Sequence, residues 1–81
     1  MFIKAKQIID NSSKKISDCT INTKSIRQIT LVDNSGTDII WRMSLSNNNG
    51  PIVLITFNNG DTNEYSIKSK DINELEKINN K

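Results

Sequence analysis

Residues 51–78, PIVLITFNNGDTNEYSIKSKDINELEKI, decide the architecture. Ile52 to Phe57 is a run of six β-branched, aliphatic or aromatic residues, too short and too β-branched for a helix, between Pro51 and a Gly-containing turn. It reads as a strand apolar on both faces, which belongs in the interior. Asn58-Asn59-Gly60-Asp61 turns the chain into a second strand, and two registers compete. A two-residue turn at Asn59-Gly60 sets Leu54 against Tyr65 and Ile52 against Ile67. A three-residue loop, Asn58-Asn59-Gly60 with Gly60 left-handed, sets Val53 against Tyr65 and brings Ile55 and Phe57 to that face; burial of Phe57 favours this second register.

Beyond Ile67 a helix starts, with Asp71 as N-cap and Glu74 at the third position as a carboxylate relative of the capping box. Ile72, Leu75 and Ile78 form its apolar stripe. So short a helix is unstable alone in water, so the stripe is expected to dock on the sheet.

Upstream, Ile39, Trp41, Met43 and Leu45 alternate with Ile40, Arg42, Ser44 and Ser46, the clearest period of two in the chain. This pattern predicts a half-buried strand with Trp41 in the core. Asn47 to Pro51 ends it, and Asp33-Asn34-Ser35-Gly36-Thr37-Asp38 separates it from a strand over Arg27 to Val32. Lys15 to Ile21 and Phe2 to Ile9 are strand candidates; Phe2, Ala5, Ile8 and Ile9 also fit one face of a short helix.

Eighty-one residues with 35% apolar content make one domain with one modest core. The expected fold is mainly β (α+β): a single antiparallel meander of five or six strands, an open sheet or small barrel, closed by a short C-terminal helix. In its order of elements this resembles the pleckstrin-homology-like architecture. The run from Val53 to Gly60, with Ser66-Ile67-Lys68-Ser69 after it, resembles small flagellar and swarming proteins of bacteria. That second resemblance spans under half the chain and implies no site residues here.

The chemistry is restricted by what is missing. No His is present, and Cys19 is the single cysteine, so a His-based triad, a thiolate metal cluster and an internal disulfide are all excluded. The expectation is no catalytic residue, no cofactor and no metal. Asp33 to Asp38 has calcium-loop flavour, but Gly36 is misplaced for an EF-hand and no bidentate Glu follows at the required distance, so it reads as a turn. With no apolar leader and no run long enough to span a bilayer, a cytoplasmic location without membrane contact is expected. Fourteen Ile, twelve Asn and nine Lys against two Arg are the choices of an AT-rich coding sequence, pointing to a low-GC bacterium, its phages or mobile elements.

Binding is therefore the expected class. Contact with a protein partner is the first expectation, by edge-strand addition or through a sheet face, with a homodimer as one form. An inhibitor of a larger host enzyme, such as an anti-CRISPR protein, is a concrete version. The alternative is a nucleic-acid-binding accessory protein. Residues 1–30 hold Lys4, Lys6, Lys14, Lys15, Lys24 and Arg27 against Asp10 and Asp18, a local charge of +4, whereas residues 31–66 carry −3. Those six bases are the candidate phosphate contacts, with Trp41 or Tyr65 available to stack bases if exposed.

Overall fold

The computed structural model of the chain describes residues 1–32 and 39–79. Five strands, β1 (Phe2–Asp10), β2 (Lys15–Asn22), β3 (Ile26–Leu31), β4 (Ile52–Phe57) and β5 (Thr62–Ile67), form one open antiparallel sheet in the order β2-β1-β5-β4-β3. Helix α1 (Ile39–Asn48) lies between β3 and β4, and helix α2 (Ser69–Asn79) closes the chain.

The hairpin adopts the three-residue loop. Val53 stands opposite Tyr65 and Ile55 opposite Asn63; the Phe57 amide donates to the Asp61 carbonyl at 2.8 Å, and Gly60 has a φ of +94°. Phe57 is thereby carried to the inner face, where its ring meets Tyr65 edge to face at 6.1 Å. On that face Ile3, Ala5, Ile21, Val53, Ile55, Tyr65 and Ile67 form one buried cluster with Ile72 and Leu75 of α2. Helix α2 docks through Ile72 and Leu75 of its stripe; the side chain of Ile78 lies outside the described residues. The helix starts earlier than the capping signal indicates: the Asp71 and Ile72 amides donate to the Lys68 carbonyl, so Asp71 sits inside the first turn, where its charge still suits the helix dipole.

The second departure is larger. Residues 39–48 form a helix, not the expected strand. Trp41 and Leu45 are four apart, a spacing that satisfies both a period of two and a helical turn, and this overlap is what the alternation concealed. The residues that separate the two readings are Arg42 and Met43. Arg42, outward in a strand, is only 8% exposed, and Met43, inward in a strand, is 48% exposed. The physical reason lies in β4. Ile52 and Leu54 alternate with Val53 and Ile55, so the strand carries apolar side chains on both faces, and its outer face requires a cover that a sixth strand alongside cannot give. Helix α1 supplies it. On that outer face Ile8 and Ile52 are buried, Arg42 reaches Glu64 of β5 at 2.6 Å and Asn11 at 2.8 Å, and the Asn49 side-chain amide donates to the Ser66 carbonyl and hydroxyl.

The Ser66 hydroxyl, fully buried, donates in turn to the Gly50 carbonyl at 2.7 Å. Gly50 has a φ of +152°, and a Cβ there would overlap the Ile67 carbonyl. The α1–β4 junction is thus held against the end of β5 at van der Waals range.

The remaining constraint is the path from β2 to β3. Every ladder is antiparallel, so β2 and β3, at opposite edges, run in the same direction. Only a single 3₁₀ turn, Thr23–Ser25, joins them. Four inter-strand spacings make a flat sheet about 19 Å wide. The four Cα steps from Asn22 to Ile26 reach at most about 15 Å. The sheet therefore curls, and β2, the turn and β3 form one bent path across its open seam. Thr23 fixes the bend, its amide and hydroxyl both donating to the Met1 carbonyl at 2.9 and 3.0 Å.

Replacement of Gly50 by Ala is expected to destabilise the protein by about 2 kcal/mol or more, read as a drop in the urea midpoint at unchanged slope. Glu64→Ala, which strips a partner from the buried Arg42, should cost about 1–3 kcal/mol. Lys6→Ala, at an ion pair whose Asp18 is 83% exposed, should cost under about 1 kcal/mol. Equal costs in urea titrations of those two variants would contradict the docking role given to Arg42.

Candidate functional site

The curl produces a concave cleft of about 600 Å³ on the inner face, between the C-terminal half of β2 and the β4–β5 turn. Its apolar wall is built from Ile21, Phe57 and Tyr65; Gln7, Asn63 and the Tyr65 hydroxyl are the polar groups on the sheet's inner face, and Asn22, Lys24, Asn58, Asn59 and Asp61 line the cleft from the two turns. Gln7 and Tyr65 are paired across β1 and β5, so the amide and the phenol stand side by side. The Asn63 amide reaches the Tyr65 hydroxyl at 3.5 Å. Burial pushes the Tyr65 phenol above its ordinary pKa, with the Asn63 contact opposing. Cys19 borders the same cleft. Its thiol faces the Ala5 carbonyl at 3.6 Å, and burial raises its pKa, the opposite of what a reactive thiolate needs. Cleft volume and polar lining had no signal in the sequence, since they come from the curl.

A second cleft, of about 450 Å³, opens on the α1 side and is lined by Lys4, Lys6, Asp18, Asn49 and Lys68. Ala5 pairs with Ile67 across β1 and β5, which brings Lys4 and Lys68 to this one cleft. Lys6 is held by Asp18 at 2.6 Å.

The six bases singled out in the sequence do not form one surface. Lys4 and Lys6 share the second cleft. Lys14 and Lys15 lie at the β1–β2 turn, Lys14 with a left-handed φ of 57° that closes the turn. In the same turn Ser12 and Ser13 donate to Asp10 and lower its pKa. Lys24 lies in the 3₁₀ turn at the rim of the first cleft, and Arg27 is exposed on β3. Neither aromatic is free to stack a base: Tyr65 is 5% exposed, and Trp41 on α1 is half-buried, its indole N–H buried with no hydrogen-bond partner among the described residues.

The outer surface carries a feature the sequence reading missed. Ile40 and Met43, one helical turn apart on α1, are 81% and 48% exposed. The helix is pinned by Arg42 and Asn49, and those two apolar side chains consequently point away from the sheet. Leu31, at the end of edge strand β3, is 62% exposed. The strand reading hid this stripe by assigning Met43 to the core.

Among the described residues no three potential metal-ligating side chains come together, and no helix is long and apolar enough to cross a membrane. Asp33 to Asp38 lies outside the described residues. Comparison with protein families, with curated proteins and with solved structures yields no match in any of the three.

Tyr65 is the chain's single tyrosine, so its ionisation is directly readable. A raised phenol pKa means that the neutral form is the one favoured by folding. The resulting stability is present below the unfolded value near 10 and is lost as pH rises through the folded pKa. Absorbance at the phenolate band should rise at higher pH than in the urea-unfolded chain. Coincident titration curves would show that the hydroxyl is not desolvated.

Proposed function

We propose that the protein is a non-catalytic binding module that acts through protein contacts, with the outward face of α1 as its recognition surface. The observation that carries this reading is the exposure of Ile40 and Met43 on a helix that the sheet already holds by its other side. Apolar side chains spaced three apart on one helix are the anchors used when a helix is received in a groove of a partner. Leaving an isoleucine four-fifths exposed has no benefit for this fold, since the segment is already fastened to the sheet's outer face by Arg42 on Glu64 and Asn49 on Ser66. The lack of a His and the upward pKa shift of Cys19 also favour binding over catalysis.

The finer version, a phage or mobile-element inhibitor of a larger host enzyme, is supported by size and composition alone. Nucleic-acid binding has weaker support, because its six candidate bases are dispersed and Lys6 is already engaged by Asp18.

The test is capture of partners from an extract of the source organism by tagged protein, with and without nuclease, beside the variant Ile40→Asp/Met43→Asp. A stoichiometric protein partner should survive nuclease and be lost, at least tenfold, from the variant, which keeps its fold because both side chains face solvent. Recovery that disappears with nuclease, or in moderate salt, and is unchanged in the variant would overturn the proposal in favour of phosphate contacts.

A further inference from the structure

The inner cleft is chemically distinct from the α1 surface and points to a ligand of its own. We propose that it is a nucleobase site, in which a base lies against the half-buried Phe57 ring and its polar edge is read by Gln7, Asn63 and the Tyr65 hydroxyl. Four observations converge on this class. The volume, about 600 Å³, is within the range of about 300–1,000 Å³ typical of small-ligand sites. Asn22 and Asn58 are spent on the Lys24 backbone and Asn59 on the hairpin turn, which leaves Gln7, Asn63 and the Tyr65 phenol, all uncharged, as the polar groups on the sheet's inner face.

The Gln7 side chain makes no hydrogen bond among the described residues, so its donor and acceptor are both unused. Asn63 spends one donor on the long contact to Tyr65 and keeps its acceptor. A carboxamide offers a donor and an acceptor side by side, which is the pattern of a base edge and the reason Asn and Gln read adenine bidentately. The apolar wall of Ile21 and Phe57 supplies the surface against which a planar ring is held.

The charged residues at the cleft stay at its rim. Asp61 is engaged by Asn59 in the hairpin turn at 3.1 Å, whereas Lys24, exposed in the lining of the same cleft, makes no ion pair among the described residues and is available to a phosphate carried by a bound base. A sugar alone fits less well, since the one carboxylate at the cleft is taken by the turn. The source of the base, a free nucleotide or a single strand, is separated by the choice of probes.

The experiment is a titration of ¹⁵N-labelled full-length protein, followed by two-dimensional NMR, with adenosine, adenosine 5′-monophosphate, a short single-stranded oligoadenylate and glucose. Saturable shifts are expected at the Gln7 side-chain NH₂ pair and the Tyr65 backbone amide, with the monophosphate tighter than the nucleoside through Lys24. Gln7→Leu and Asn63→Leu, both at half-buried positions and checked for an otherwise unchanged spectrum, should each weaken binding about tenfold. Lys24→Ala should reduce the monophosphate to the affinity of the nucleoside. Saturation by the oligonucleotide alone, with these same shifts, supports a single strand as the source; saturation by the mononucleotides supports a free nucleotide. No saturation with any base-containing probe in the millimolar range, shifts confined to residues outside the cleft, an equal response to glucose, or an unweakened Gln7→Leu variant would each overturn the proposal.

Discussion

The three residues Thr23 to Ser25 are the constraint on which this structure turns. They carry the chain from one edge of a five-stranded sheet to the other, a path too short for any flat arrangement. Since β2 and β3 run in the same direction, no reversal is needed, and one bend of 3₁₀ geometry suffices. The curl that results gathers Ile3, Ile21, Ile55 and Tyr65 into a common core and leaves a concave mouth beside the β4–β5 turn. A chain of this size gains a core thicker than an open meander would provide, and it gains a cleft from the same bend.

Strand β4 is the second organising element. Its doubly apolar sequence demands cover on both sides, and the chain provides α2 on the concave face and α1 on the convex one. The two helices are secured differently. Helix α2 is held by Ile72 and Leu75 in the apolar core. Helix α1 is held by polar groups, Arg42 on Glu64 and Asn49 on Ser66, with the Ser66 hydroxyl returned to Gly50. Polar docking leaves Ile40 and Met43 exposed while Trp41 and Leu45 are half-buried, and the recognition surface proposed for the protein follows from that choice of fastening.

Much of the fold was legible because local rules sufficed. The Phe57 register followed from the need to bury an aromatic ring, the left-handed Gly60 from the loop length, and the docking of α2 from a stripe too short to stand alone. The α1 segment misled because Trp41 and Leu45 satisfy two periods at once, and the deciding signal, a strand apolar on both faces, lay ten residues away in β4. The clefts were not legible at all. They depend on which strands become neighbours, and the pairing of β1 with β5, which places Gln7 beside Tyr65 and brings Lys4 and Lys68 to one cleft, joins residues about sixty positions apart. The scattering of the six N-terminal bases has the same origin: a charge count along the sequence does not know that Lys14 closes a turn while Lys24 sits at the rim of a cleft.

Both the core and the inner cleft depend on the curl, and one distance reports it. In a flat sheet with these registers, Thr20 of β2 and the Asn58–Asp61 turn would be about 30 Å apart; in the curled sheet they border one cleft. A nitroxide attached at position 20, by Thr20→Cys in a Cys19→Ser background, reports this through paramagnetic broadening of amide resonances. The account predicts strong broadening of the Asn58 to Asp61 amides. Sharp turn resonances, with broadening restricted to β1 and β2, would contradict it.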